Sequence, residues 1–354
     1  MQAILRQNKS QTNAILTDFI RILANIGLKS MLIRVKSLII LLGWLLIGMT
    51  GSKAFAQDPQ FTQFYANPLY LNPAFAGSKR CPRVNLNYRN QWPSIPGQFV
   101  TYSASYDQHV DAISGGLGGM VYSDQAGNGT LRTINVSAMY SYTLEVSRSF
   151  SIKAGFQATY FQKSIDWSSL TFGDMIDPRY GFIYETQETP GTDQVNGADF
   201  SVGFLGYSEK FYAGFAVHHL AEPTESFFSD NNSRLYRKFT LHAGMNIPFN
   251  ERYPEEGAIS PNILYMQQGP AEQLLFGLYG KRGPLVAGLW YRNRDAFIVL
   301  LGVQTEKFRF GYSYDLTTSQ LTNKPGGSHE ISVGLQFECR SRPKKFRPLS
   351  CPEF

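Results

Sequence analysis

The chain has 354 residues, of which 17% are charged and 14% aromatic, with 32 glycines and a formal net charge of +6. A soluble enzyme carries about a quarter charged residues, and a helical membrane protein needs apolar runs of about 20 residues. The composition fits neither class.

The longest apolar run, residues 38–49 (LIILLGWLLIGM), has twelve residues and is too short to span a bilayer as a helix. Arg34 and Lys36 precede it and Ala54-Phe55-Ala56 follows it. Residues 1–56 therefore read as a leader ending in a secretory signal peptide, cut between Ala56 and Gln57. Met31 would begin a signal of ordinary length and is the expected true start. The leader holds seven Lys/Arg and one Asp, so 26 basic and 26 acidic residues remain beyond it. The positive charge thus belongs to the leader, and a nucleic-acid partner loses its electrostatic basis.

Residues 57–82 are dense in aromatics and proline, with Asn67-Pro68 and Asn72-Pro73 as turn signals. A disordered linker does not concentrate aromatics in this way, so the segment is expected to pack. It would do so as a lumenal plug or against a periplasmic partner.

From residue 83 the signal is period-2 alternation. Residues 150–160 set Phe150, Ile152, Ala154, Phe156, Ala158 and Tyr160 against Ser151, Lys153, Gly155, Gln157 and Thr159. Fourteen such segments are predicted, near 83–92, 99–108, 115–122, 130–143, 150–163, 198–208, 210–218, 237–248, 258–267, 271–281, 284–291, 296–306, 308–316 and 328–338. Most have the length of a tilted membrane strand. Connections 164–197, 219–236 and 317–327 are long, whereas those at 109–114, 144–149, Glu209, Gly283 and Lys307 are short. Long loops outside and short turns inside mark an outer-membrane barrel. The fold class is all-β: a transmembrane antiparallel β-barrel of about 14 strands over residues 83–338, with both termini periplasmic. The runner-up is a soluble antiparallel barrel or sandwich, disfavoured because one face is rich in aromatics and poor in charge. Tyr88, Trp92, Tyr122, Tyr142, Trp290 and Tyr291 lie near strand ends, where interface girdles form.

Residues 339–354 form a tail with Arg340, Arg342, Lys344, Lys345 and Arg347 within eight positions. Such a tail suits anionic lipid headgroups or an acidic periplasmic partner. Cys339 and Cys351 stand twelve residues apart and could close a tail loop, which would leave Cys81 odd; the spacing does not decide the pairing. No C-x-x-C spacing points to zinc.

These end segments carry a family resemblance. Asp58-Pro59-x-Phe61-Thr62-Gln63-Phe64-Tyr65 is followed by Asn72-Pro73-Ala74-Phe75-Ala76-Gly77. Tyr88-Arg89-Asn90-Gln91-Trp92, Leu170-Thr171-Phe172-Gly173-Asp174-x-Ile176-Asp177 and the terminal Cys351-Pro352-x-Phe354 complete the set. The chain resembles the PorP/SprF family of outer-membrane proteins from type IX-secreting and gliding bacteria. The resemblance implies a non-enzymatic barrel that supports secretion or surface anchoring of a large adhesin through that adhesin's C-terminal domain. Some members are tied instead to periplasmic ring or peptidoglycan-binding components. The partner-binding candidates are Phe61, Gln63, Phe64, Tyr65, Asn72, Pro73 and Phe75 in the first segment. In the longest loop they are Asp174, Asp177, Arg179 and Tyr180, and in the tail the five basic residues with Cys351 and Phe354. The alternative function is a porin-like channel for small solutes.

Catalytic, metal and cofactor sites are not expected. The sequence has no G-x-S-x-G, no phosphate loop and no H-E-x-x-H. His218 and His219 are adjacent, and neighbours on a strand point to opposite faces, which argues against joint ligation. Gly115-Gly-Leu-Gly-Gly119 precedes no helix and reads as a strand that accommodates something close to its backbone.

Overall fold

The computed structural model describes residues 58–338 apart from 80, 96, 229–232, 254–255 and 319–325. The leader and the basic tail lie outside the described residues. Fourteen strands make the wall: β1 (Arg83–Gln91), β2 (Phe99–Val110), β3 (Gly115–Ala126), β4 (Leu131–Ser147), β5 (Phe150–Ile165), β6 (Gln194–Tyr207) and β7 (Phe211–His218). The second half comprises β8 (Lys238–Met245), β9 (Gly257–Gln268), β10 (Ala271–Arg282), β11 (Leu285–Arg292), β12 (Ala296–Gln304), β13 (Phe308–Thr317) and β14 (Ser328–Gln336). Each pairs antiparallel with its sequence neighbours. The sheet closes where β1 meets β14, from Arg83 opposite Gln336 to Gln91 opposite Ser328. Closure leaves no unpaired edge, the condition for backbone in hydrocarbon.

The alternation sorts side chains inside-out. Along β2, Thr101, Ser103, Ser105 and Asp107 are buried, while Tyr102, Ala104 and Tyr106 between them are exposed on the outer surface. The largest fully buried side chains include Arg89, Lys153, His242 and Glu330, while Phe156, Leu289 and Leu301 face outward. An apolar band running round the whole wall has no place in water and fits a bilayer. Every one of the fourteen segments read from alternation is a strand. Among the described residues, no helix is long and apolar enough to cross a membrane.

The two ends of the barrel differ. At one, β5–β6, β7–β8 and β13–β14 are joined by long connections. At the other, β4–β5, β6–β7, β10–β11 and β12–β13 turn within a few residues, while β8–β9, expected as a short turn at 249–257, takes residues 246–256 and includes the two-residue strand Ile247–Pro248. Tyr122 and Trp290 are not girdle residues. Both are buried and face the lumen, because β3 and β11 run in a phase that turns these rings inward. Tyr142 and Tyr291 do face outward.

Candidate functional site

Residues 58–78 run through the lumen. Asn67-Pro68 and Asn72-Pro73 start two short helical turns, Pro68–Leu71 and Pro73–Phe75, with Asn72 Oδ1 accepting from Ala74 N at 2.8 Å. The folded-back chain presents side chains in every direction across the barrel.

Its first part is held by a buried charge cluster. Glu330 accepts the backbone N–H groups of Thr62 at 2.6 Å and Gln63 at 3.0 Å, one on each carboxylate oxygen. Arg89 bridges Asp315 at 2.9 Å and Glu330 at 3.2 Å, and also donates to the Thr62 hydroxyl. Arg292 joins from β11, 3.2 Å from Asp315. The Gln63 side chain donates to the Glu330 carbonyl and accepts from Ser332 Oγ at 2.6 Å. Two cations and two anions out of water require each other, and here they also satisfy the plug's backbone.

Deeper in, the plug makes the dry core of the barrel. Phe64 meets Trp290 edge-on at 5.0 Å, Tyr65 meets Tyr212 at 5.8 Å and Phe75 stacks on His242 at 5.3 Å. Leu69, Leu71 and Ala74 close the cluster with Leu205, Leu264 and Ile298 from the wall. Each such buried side chain contributes about 1.5–3 kcal/mol. The glycines explain how backbone fits against backbone. A Cβ at Gly116 would strike Gly77 Cα at 2.6 Å, and one at Gly155 would stand 2.6 Å from Ala74 Cα. The glycine-rich stretch of β3 is therefore the seat of the plug. At the short-turn end Gly77 N donates to Asp107 at 2.7 Å, and Asp107 is paired with Arg83 at 2.6 Å.

Of the two placements expected for the N-terminal segment, the described residues take the lumenal one. Asp58 sits at the long-loop end, and the chain descends from there to β1 at the short-turn end. His219 bridges Asp58 and Asp199 at 2.8 Å each, and Lys238 lies 3.3 Å from Asp58. His219 has φ +58, which turns it out of the strand phase. The expectation that His218 and His219 face apart fails for that reason: both meet the plug, His218 at the Leu71 carbonyl. Burial would lower the His219 pKa, but the Asp58 charge and the hydrogen bonds to both carboxylates raise it to about 9. Burial likewise opposes ionisation of Asp58, yet His219 and Lys238 hold its carboxyl well below the usual range.

The sequence candidates separate into three sets. Phe61, Gln63, Phe64, Asn72, Pro73 and Phe75 are buried, and with Tyr65 they bind this chain's own barrel. Asp174 and Asp177 build the long loop. Asp177 accepts from the N–H groups of Arg179 at 2.7 Å and Tyr180 at 2.9 Å, and Asp174 accepts from Gln187 N at 2.7 Å. Those backbone donors lower both carboxyl pKa values. Tyr180 is left 74% exposed beside Phe182, Ile183 and Tyr184, an apolar tip beyond the membrane wall. Arg340, Arg342, Lys344, Lys345, Arg347, Cys351 and Phe354 lie outside the described residues. Cys81 is disulfide-bonded, so it is not the odd cysteine. Sequence reasoning missed Arg89, Asp107, Asp315 and Glu330, whose signal was charge on the otherwise small, polar lumenal phase of their strands.

The chain belongs to the type IX secretion system membrane protein PorP/SprF family, which it matches over residues 53–335. Among solved structures it is similar to the toluene transporter TbuX of Ralstonia pickettii, at 11% identity over 76% of this chain and 93% of that one, TM-score 0.47. A FadL homologue of Pseudomonas aeruginosa is similar at 12% identity over 82% and 97%, TM-score 0.43. BamA of Haemophilus ducreyi lacking POTRA domains 1–3 is similar at 10% identity over 73% and 71%, TM-score 0.36. None of these likenesses bears on substrate or mechanism. No curated protein matches the sequence.

Proposed function

We propose that this member of the PorP/SprF family is a closed, non-catalytic outer-membrane platform that anchors a large exported adhesin at the cell surface through the adhesin's C-terminal domain. The observation that carries the reading is the plug. Residues 58–78 are bonded to the wall at both ends and fill the space a solute pore would need. In this reading the long-loop end faces outward and offers the apolar tip around Tyr180, and the short-turn end faces the periplasm. That inner end carries Lys79, Lys281, Lys307 and Arg309 with Glu306 around a cavity of about 620 Å³, and although Lys307 pairs with Glu338 at 2.8 Å the lining keeps a cationic excess suited to anionic headgroups or to acidic faces of a periplasmic ring component. The solute-channel reading has one feature in its favour, a cavity of about 600 Å³ at the long-loop end, but the plug lies beneath it.

Affinity purification of the tagged barrel from native outer membranes tests the proposal. A type IX-dependent surface protein should co-purify and be lost when loop 166–193 is exchanged for a short turn. Recovery of the barrel without any exported or ring component would sink the platform reading.

A further inference from the structure

Residues 166–193, the longest connection of the barrel, are fixed by their own contacts. Trp167 packs edge-on against Phe228 of the neighbouring loop at 5.5 Å, and Thr192 N donates to the Phe227 carbonyl at 2.8 Å. From that base a small hairpin pairs Ile176–Asp177 with Gly181–Phe182, and Ile183 N donates to the Met175 carbonyl at 3.1 Å. Asp174 holds the returning arm through Thr186 Oγ1 at 3.1 Å and Gln187 N at 2.7 Å, and Asp177 accepts from the Tyr184 hydroxyl at 3.1 Å. The hairpin is therefore a preorganised projection, which loses little conformational entropy when something docks on it.

Two properties of this projection point to what docks there. Ile176, Phe182, Ile183 and Tyr184 are 48%, 62%, 54% and 53% exposed and join Tyr180 on one short hairpin beyond the strands. Scattered exposed apolar residues are ordinary, but a contiguous set outside the bilayer marks a contact surface. The second property is charge. Asp166, Asp174, Asp177, Glu185, Glu188 and Asp193 stand against one cation, Arg179, which leaves residues 166–193 at −5. Asp166 accepts from the Ser168 and Ser169 hydroxyls, and Asp174 and Asp177 from the neutral donors above. None of the six forms an ion pair among the described residues, whereas Glu222 and Glu225 of the neighbouring loop are paired with Arg237 at 3.7 Å and Lys163 at 2.7 Å. An apolar patch with such a rim is repelled by anionic headgroups and by any partner face as acidic as itself.

We infer that the hairpin selects its exported partner by an apolar patch ringed with lysine and arginine. Tyr180, Phe182 and Ile183 supply the contact, and Glu185, Glu188 and Asp193 meet the partner's cations. Charges at the rim of an interface set the encounter rate and the choice of partner, while the apolar centre supplies most of the holding. This selection rests on the platform reading and adds to it the chemistry of the face that the platform holds. It is confined to the loop, and nothing in the lumen takes part.

The test uses the full-length barrel in phosphatidylcholine nanodiscs, with a barrel whose residues 166–193 are exchanged for a short turn as the reference. Two disulfide-closed hairpin peptides serve as probes, both with a Trp/Leu face, one rimmed by Lys and the other by Glu. The Lys-rimmed peptide should show loop-dependent binding about ten-fold tighter than the Glu-rimmed one, and should weaken several-fold between about 50 and 300 mM salt. Glu185, Glu188 and Asp193 have side chains with no hydrogen bond or ion pair among the described residues, so Glu185→Gln/Glu188→Gln/Asp193→Asn leaves the loop folded. That triple variant should weaken the Lys-rimmed peptide roughly ten-fold, and Phe182→Ser/Ile183→Ser should remove the binding of either peptide. Equal affinity for the two peptides, no loop-dependent binding of the Lys-rimmed one, or unchanged affinity in either variant overturns the inference. In native membranes the triple variant separates charge selection from the platform itself. A wild-type barrel that retains no type IX-dependent protein fails as a platform. The same protein held equally by the wild type and the triple variant leaves the platform standing and overturns the charge selection.

Discussion

Glu330 is the side chain on which plug retention turns, and Glu330→Gln isolates it. The amide keeps one acceptor oxygen but sets an NH₂ group against a backbone N–H of Thr62 or Gln63, which both now find a carboxylate oxygen within 3.0 Å. It also removes one anion from a cluster in which Asp315 would then be the one carboxylate left to Arg89, and Arg292 already shares it while holding Asp295. Breaking a buried ion pair costs about 3–5 kcal/mol, and an orphaned backbone donor about 1–3 kcal/mol. The two overlap at one side chain and do not add in full. Taking ~4 kcal/mol as the net, and about 1.4 kcal/mol per decade, the population with a displaced plug rises roughly a thousandfold. The strand ladder of β14 is untouched, so the barrel itself should stay folded. Planar-bilayer recording reads the effect: rare openings in the wild type should become frequent in Glu330→Gln, approaching those of a variant lacking residues 58–78. If the deletion variant conducts while Glu330→Gln stays as closed as the wild type, the charge cluster does not hold the plug.

Further outcomes follow from other contacts. Gly155→Val, whose branched side chain would drive into the backbone at Pro73 and Ala74, should unseat the plug. Limited proteolysis should then cut within residues 58–78 in the variant and leave the wild type intact. His219 has a folded-state pKa raised to about 9 from 6.5, so the stability it contributes is fully present below pH 6.5 and is lost as pH rises through about 9. Hydrogen exchange near Asp58 should quicken between about pH 8 and 10, and His219→Gln should flatten that profile. Deleting residues 339–354 removes both other cysteines of the sequence, so Cys81 should become reactive to maleimide while the barrel still inserts. A truncated chain that fails to insert would make the tail part of the fold.

Strand positions were legible because a wall one residue thick writes its two environments directly into alternate positions. Phe156 and Gln157 differ by one step, and one meets lipid while the other meets the lumen. The plug was legible as a packed segment from its aromatics and Asn-Pro pairs, but not its direction of travel. That depends on which strands offer Glu330 and Asp107, at opposite ends of the lumen, and alternation does not rank the rungs of a strand. Tyr122 and Trp290 misled because aromatic rings suit an interface girdle and a plug socket equally. His219 misled because a single left-handed residue ends the strand phase, and nothing in His218-His219 announces it.

The most direct measurement of the platform claim is crosslinking in growing cells. A photo-reactive side chain at Tyr180, the most exposed aromatic of the long loop, should trap an exported surface protein, and only in cells with a working type IX system. Crosslinks to neighbouring lipid or to the barrel itself, unchanged when type IX export is blocked, would contradict the claim that the long-loop end holds a secreted partner.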